Sequence, residues 1–168
     1  RTHRTVSELA KNTTMRPAAH LTCVDASKNE VNAVVDGYSA AGVKHIVALR
    51  GDAQNGESVF TAHPQGYQNA AHLVQGISNR GNFEISVAAY PERHPESPNW
   101  DHELDNLKRK IDAGANRAIS QFFFDIESYL RFRDRCVTVG IDVEIIPGIL
   151  PVTNYKMLER FAGLTNVH

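Results

Sequence analysis

Short apolar runs alternate with amphipathic segments along the chain, and this alternation restricts the possible folds more than any other feature. Between the runs, apolar residues recur at helical spacing, as Val31, Val34, Val35 and Tyr38 do. The runs that have the length of a strand are residues 18–24, 46–49, 85–89, 118–124 and 143–147. Helix ends are marked by glycine at Gly42, Gly114 and Gly140. Repeated strand–helix units of this kind predict an α/β fold with a parallel sheet.

The choice between an open sheet and a closed barrel depends on the loops. The sequence contains neither G-x-G-x-x-G nor G-x4-G-K-[ST], the phosphate-binding loops that are typical of open sheets. We therefore predict a (β/α)8 TIM-type barrel. Such a barrel needs about 250 residues and eight βα units, whereas these 168 residues supply about five. Since the chain begins at Arg1 without a methionine, we expect residues 1–168 to be part of a single barrel domain that continues before Arg1 and after His168.

Composition limits the classes of partner. The formal net charge of -1 does not favour binding to a nucleic acid or a membrane surface, and no apolar run reaches the roughly 20 residues of a membrane span. Cys23 and Cys136 are far apart and lack CxxC or His-x3-His neighbours, so we expect neither a disulfide framework nor a zinc site. No three carboxylates or imidazoles share a short spacing, and no metal is predicted. These features fit a cytoplasmic protein.

Polar residues come directly after the predicted strands, at the carboxyl end of each strand. The segment IVALRGD at residues 46–52 is the clearest example, because a buried strand ends in a cation, a glycine and a carboxylate. The carboxyl ends of barrel strands converge on one face, where such enzymes carry their active sites. The residues expected to meet there are His20, Thr22, Asp25, Arg50, Asp52, Tyr90, Glu92, His94, Gln121, Asp125, Pro147 and Gly148.

Several segments together resemble bacterial methylenetetrahydrofolate reductase. They are HLTC (20–23), HIVALRGD (45–52), ISVAAYPE (85–92), HPE (94–96), NLKRKIDAGANRAISQFFFD (106–125) and the stretch from FRDRC to IPGILPV (132–152). The resemblance implies a flavin-binding barrel that reduces 5,10-methylenetetrahydrofolate to 5-methyltetrahydrofolate. The implied cofactors are FAD and, as electron donor, NADH or NADPH, and the product would supply methyl groups for methionine synthesis. We expect a homo-oligomer that binds neither nucleic acid nor a membrane.

The resemblance also assigns roles to individual residues. Those that match FAD-contacting positions are His20, Arg50, Gly51, Asp52, Tyr67, Tyr90, His94, Pro95, Glu96, Asn106 and Lys110. Those that match folate-contacting positions are Asp52 and Gln121, and Phe161 matches one near the nicotinamide or folate ring. Asp52 is the predicted catalytic residue, because a carboxylate there can stabilise the cationic iminium formed when methylenetetrahydrofolate opens.

The sequence departs from the family pattern at three places. The loop 53–71 is longer than expected, and Met157 stands where a substrate-contacting glutamine is common. The family's general acid is a glutamate in an FEFFPP-like segment that nothing here matches, so we expect it upstream of Arg1.

Three other functions stay open at this point. A flavin barrel resembling proline dehydrogenase would oxidise an amine substrate and would not use NADH. A truncated flavin-binding segment would hold FAD without reducing folate. A metal-dependent barrel lyase would be colourless and sensitive to chelators.

Overall fold

The fold is described by a computed structural model that covers residues 2–52, 60–165 and 167, with only the backbone described for five residues of the last helix. Strands and helices alternate from β1 onward, as the sequence predicts. The helices are α1 (Thr2–Asn12), α2 (Lys28–Ala40), α3 (Ala70–Ser78), α4 (Trp100–Asp112), α5 (Ile126–Thr138) and α6 (Tyr155–Thr165). The strands are β1 (Ala18–Thr22), β2 (His45–Leu49), β3 (Glu84–Ala89), β4 (Arg117–Phe122) and β5 (Glu144–Gly148).

The five strands form one parallel sheet in the order β1-β2-β3-β4-β5. Each strand pairs with the next one along the chain, so that Leu21 lies beside Ala48, Ala48 beside Val87, and Val87 beside Ala118. A doubly wound sheet reverses its strand order at a switch point, and this sheet does not. The prediction of a parallel α/β fold is confirmed, and the steady order is that of a barrel wall.

The helices cover one face of the sheet and form the core with it. Along β1, Ala19 and Leu21 are buried against the helices, while Ala18, His20 and Thr22 are exposed on the other face. The helical residues buried in this core include Val31, Val35, Tyr38, Leu73, Val74, Ile77, Leu104, Leu107 and Phe132. Both cysteines, Cys23 and Cys136, are buried free thiols in the same core.

Local sequence signals explain where the helices begin. Asp25 and Ser27 are both possible caps for α2, and the structure uses Ser27. Its side chain accepts a hydrogen bond from the N–H of Glu30, whose carboxylate accepts one from the N–H of Ser27 in return. This reciprocal capping box fixes the chain direction as it leaves the carboxyl end of β1.

Candidate functional site

A cavity of about 600 Å³ opens at the carboxyl ends of β1, β2 and β3. The amino end of α3 and one face of α4 close its sides. Of the residues that the sequence assigns to a site, those that line the cavity are Thr22, Arg50, Gly51, Asp52, Tyr90, His94, Glu96, Asn106 and Lys110. The structure therefore brings together most of the predicted FAD positions at the predicted end of the sheet.

Other predicted site residues do not line this cavity. His20 is exposed on β1, and Pro95 is exposed within the turn that carries His94 and Glu96. Tyr67 is 5% exposed and donates a hydrogen bond from its hydroxyl to Asn32 at 2.7 Å, which fixes its ring between α2 and α3.

Two predicted substrate contacts, Gln121 and Phe161, lie in the second half of the chain. Gln121 lies on β4, where its side-chain oxygen accepts a hydrogen bond from the N–H of Phe122 at 3.0 Å. It does not line the cavity. The side chain of Phe161 lies outside the described residues, as does that of Met157, and the longer loop is described only from residue 60 onward.

The turn after β2 has a backbone that favours glycine. Gly51 has a φ of 89°, and a Cβ atom built there would lie 2.6 Å from Cγ1 of Val24. A side chain would therefore be disfavoured both by the left-handed conformation and by a clash. This close approach lets Arg50 and Asp52 flank a tight turn at the mouth of the cavity.

Arg50 and Glu96 form a bidentate ion pair across the cavity mouth. The guanidinium donates to both carboxylate oxygens, at 2.5 and 2.9 Å. This hydrogen bonding raises the pKa of Arg50 and lowers that of Glu96. The Arg50 guanidinium also lies 4.7 Å from the ring centroid of Phe60, at a distance that allows a cation–π contact. Arg50 is thus held in one orientation with its charge half-buried.

His94 is held as a neutral ring in a definite tautomer. Its Nδ1 accepts a hydrogen bond from the N–H of Glu96 at 3.1 Å, so the ring proton resides on Nε2. Burial lowers the pKa of His94, which favours the same neutral form. The ring packs edge to face on Tyr90, with centroids 4.7 Å apart. Burial, together with the charge of Glu103, raises the pKa of Tyr90 to about 12, so this phenol is a hydrogen-bond donor at neutral pH.

Lys110 brings a cation into the wall of the cavity. Its ammonium donates a hydrogen bond to the carbonyl of Ala88 at 2.5 Å, between α4 and β3. Burial lowers the pKa of Lys110 to about 8, an effect that the negative charge of Glu103 partly offsets. A lysine in this state is positively charged at pH 7 and lacks much of the hydration of an ordinary surface lysine.

Sequence reasoning missed part of the lining. The additional polar residues are Asn69, Ser97, His102, Glu103 and Arg109. Four of them lie on α4 or in the turn before it, where charged residues at helical spacing are typical of a solvated face. The sequence does contain a signal for two of them. His102 lies four residues before the predicted Asn106 and Arg109 three residues after it, so all three share one face of α4, next to Lys110.

Residues 2–52, 60–165 and 167 contain no group of three or more His, Cys, Asp and Glu side chains placed to hold a metal ion. None of the helices in these ranges combines the length and the hydropathy needed to cross a membrane.

Comparison with known proteins gives one family for the whole chain. The model of the family described as methylenetetrahydrofolate reductase matches residues 1–168. The protein named 5,10-methylenetetrahydrofolate reductase from Pectobacterium carotovorum subsp. carotovorum is 55% identical over 168 residues, which are 99% of this chain and 54% of that protein. The protein of the same name from Escherichia coli strain K12 is 54% identical over 167 residues, again 99% of this chain and 54% of that protein. The chain therefore spans about half the length of the curated relatives it matches.

The solved structures extend the comparison at the level of the fold. A crystal structure of phosphonopyruvate hydrolase superposes with a TM-score of 0.60 at 12% identity, over 96% of this chain and 61% of that one. At this identity the likeness concerns only the arrangement of strands and helices.

Proposed function

Because the chain belongs to the methylenetetrahydrofolate reductase family, we propose that the protein containing it reduces 5,10-methylenetetrahydrofolate to 5-methyltetrahydrofolate. In this proposal FAD is the resident cofactor, and NADH or NADPH is the electron donor. The product serves methionine synthesis in the cytoplasm, and the working enzyme is a homo-oligomer. Residues 1–168 form part of its single flavin-binding barrel domain. The observation that carries the proposal is the convergence of Arg50, His94 and Lys110 on one cavity at the carboxyl ends of the strands.

The donors in the cavity fit the polar parts of FAD. Arg50 and Lys110 offer positive charge for a diphosphate, and the amino end of α3 adds the partial positive charge of a helix terminus. His94 offers an N–H donor at Nε2, and Asn106 offers an amide for ribose or base oxygens. Because the Lys110 ammonium is already partly dehydrated, pairing with an anion costs it less than it would cost a surface lysine.

Small residues in the cavity fit a flat ring system. Ala48, Ala70, Ala71 and Ala88 line it together with Gly51. A wall of methyl groups allows close approach of an aromatic ring without displacing larger side chains.

When bound, FAD would supply the redox chemistry, a hydride transfer from the nicotinamide to the folate, and Arg50, His94 and Lys110 would hold it in the cavity. Asp52 is exposed at the cavity mouth, where its charge acts on Arg50 and Tyr90. Its carboxylate is suited to stabilise the iminium cation of the opened folate substrate. Because the Arg50 guanidinium hydrogen-bonds Glu96, it leaves the Asp52 carboxylate available to a substrate.

The test uses the full-length protein that contains this chain. We expect it to purify yellow, or to take up about one FAD per chain when the apoprotein is titrated. Stopped-flow mixing should then show flavin reduction by NADH or NADPH, followed by reoxidation with methylenetetrahydrofolate. A colourless protein that takes up no FAD in titration would refute the proposed cofactor, and a flavin that methylenetetrahydrofolate does not reoxidise would refute the reaction.

A further inference from the structure

The strands β4 and β5 do not keep one register along their whole length. Ile119 pairs with Ile146, whereas Phe122 pairs with Gly148, so three steps along β4 match two steps along β5. β4 therefore carries one extra residue between these pairs, which is a β-bulge. Bulges are rare between parallel strands, and in general they are frequent next to active sites, where they redirect a side chain.

The sequence of β5 explains why the bulge forms here. In the bulge, Ser120 and Gln121 together lie opposite Pro147. Proline has no N–H to donate to a strand ladder, and within sheets it is found at edge strands, at strand starts or at bulges. Gly148 follows, and a Cβ atom built there would overlap the carbonyl oxygen of Ser120. The Pro-Gly pair thus allows the close approach of β5 to the extra residue of β4.

The hydroxyl of Ser120 satisfies two backbone groups of the bulge. It accepts a hydrogen bond from the N–H of Gly148 at 2.9 Å and donates one to the carbonyl of Gln121 at 2.8 Å. Ser120 is 5% exposed, so water has little access to replace these bonds. Because unpaired backbone groups are costly in a buried site, this one hydroxyl stabilises the bulge from both strands.

The bulge also orients the amide of Gln121. Its side-chain oxygen accepts a hydrogen bond from the N–H of Phe122 at 3.0 Å. Since a backbone N–H only donates, the oxygen must face the backbone, and the two N–H donors of the amide are left for another partner. On the other side of β4, Ser120 lies beside Ala89, and the residue after Ala89, Tyr90, lines the cavity. Gln121 therefore offers its donors at the border of the cavity.

We propose that Ser120 is a positioning residue, which holds the β4 bulge and thereby sets the direction in which Gln121 presents its amide to the folate. This inference rests on the proposed function and on the predicted contact between Gln121 and the folate. Ser120 acts through the bulge, because it is buried and does not line the cavity. Loss of its hydroxyl therefore weakens folate binding and spares flavin reduction by the nicotinamide.

The chain offers a rescue variant and a matched control. Ser120→Ala removes both hydrogen bonds, whereas Ser120→Thr keeps a hydroxyl and suits a strand. Ser86→Ala is the control, because Ser86 is also a fully buried serine of this sheet that does not line the cavity. Its hydroxyl hydrogen-bonds His45 at 2.7 Å, near the amino ends of β2 and β3 and away from the bulge. Gln121→Ala removes the amide itself.

The experiment uses the full-length protein with FAD bound, and its melting temperature is recorded for each variant. Stopped-flow reoxidation of the reduced flavin at several methylenetetrahydrofolate concentrations gives the folate dissociation constant, and flavin reduction by the nicotinamide is measured on the same preparations. We expect Ser120→Ala to raise the folate dissociation constant about fivefold or more, the loss that corresponds to one ordinary hydrogen bond. Ser120→Thr and Ser86→Ala should stay within about twofold of the wild type, and flavin reduction should change by less than about twofold in all three.

A double variant tests whether Ser120 acts through Gln121. In the Gln121→Ala background, Ser120→Ala should cause no further loss of folate affinity, because the group that it positions is already gone. An equal loss with and without Gln121 would overturn the positioning role. So would wild-type folate affinity in Ser120→Ala or in Gln121→Ala, no recovery in Ser120→Thr, or a flavin reduction step slowed as much as folate binding is weakened.

Two further outcomes are separated in advance. If Ser120→Ala does not fold, Ser120→Cys takes its place under the same criteria, since a thiol is only a weak donor and a weak acceptor. If methylenetetrahydrofolate does not reoxidise the flavin of the wild type, the proposed function itself is overturned. A wild type that is reoxidised, with variants that fail the criteria above, overturns only the role of Ser120.

Discussion

Replacing Lys110 with methionine tests whether the cavity holds a partly dehydrated cation. The pKa of Lys110 is lowered from 10.5 to about 8 by burial. The unfolded chain keeps the ordinary value and so binds the proton more tightly than the folded protein does. Below pH 8 the charged lysine therefore destabilises the folded state. The stability of the protein rises as the pH increases from about 8 to about 10.5.

The size of this effect follows from the two pKa values. At about 1.4 kcal/mol for each pKa unit, the charged Lys110 destabilises the folded protein by roughly 3 kcal/mol at pH 7. Lys110→Met removes that cost but leaves the carbonyl of Ala88 without this donor, a loss of about 1 kcal/mol. We therefore expect the full-length variant without cofactor to be about 2 kcal/mol more stable than the wild type at pH 7.

The assay compares urea unfolding of the wild type and Lys110→Met at pH 7 and pH 10. Between these pH values the advantage of the variant should shrink by roughly 2 to 3 kcal/mol, because the wild-type lysine becomes neutral. Other groups titrate in both proteins and cancel in the difference. Lys108→Met serves as control, since Lys108 is on the same helix and pairs with Asp112 at the surface. A stability difference for Lys110→Met that stays constant from pH 7 to pH 10 would refute the reasoning.

Three further outcomes are expected. The FAD affinity of the wild-type apoprotein should fall as the pH rises above about 8, by up to about tenfold per pH unit, because anion binding favours the charged Lys110. Fluorescence titrations at several pH values measure this affinity, and they should show no such fall in Lys110→Met. Asp52→Asn should slow the reoxidation of reduced flavin by methylenetetrahydrofolate on the order of 10²-fold or more, as measured by stopped flow. It should slow flavin reduction by NADH less. Equal slowing of both steps would contradict the role of Asp52 in stabilising the folate cation. Gly51→Ala should destabilise the protein more than Gly140→Ala does in urea unfolding. Both positions have a positive φ, of 89° and 74°, but only at Gly51 would the new Cβ clash, at 2.6 Å from Val24. Equal losses would indicate that Val24 moves aside without cost.

Much of the fold could be predicted because its signals are local. The strands appear in the sequence as short apolar runs, and every predicted strand end lies within two residues of the observed one. The position of Arg50, Gly51 and Asp52 also follows from topology, since the residues after a parallel strand must lie at its carboxyl end. The same reasoning placed Tyr90 and His94 correctly beside them.

The rest of the candidate site depends on contacts that the spacing of residues in the sequence does not show. Glu103 appears in the sequence as an acid in the first turn of a helix, and only the path of the preceding turn makes it buried. Tyr67 packs over Gly76, where an added Cβ would overlap its hydroxyl group, and its ring does not line the cavity. Gln121 follows the strand-end rule, yet its amide turns back to the adjacent backbone. For Glu103 and Tyr67, packing between separate segments of the chain decides the direction of the side chain, whereas for Gln121 a hydrogen bond to the next residue does.

The cavity lining that the structure describes comes from one continuous part of the chain, between Thr22 and Lys110. The ribosome therefore completes these walls before it begins β4. At about 5 to 20 residues per second, the residues from β4 to the end of α6 take several seconds more to synthesise. A ligand present during this interval would find the described lining residues already synthesised on the nascent chain. By binding them it would stabilise the β1–α4 portion by mass action. The edge of β3 that later pairs with β4 is meanwhile unprotected, so the timing of ligand arrival bears on how much of the newly made chain escapes aggregation.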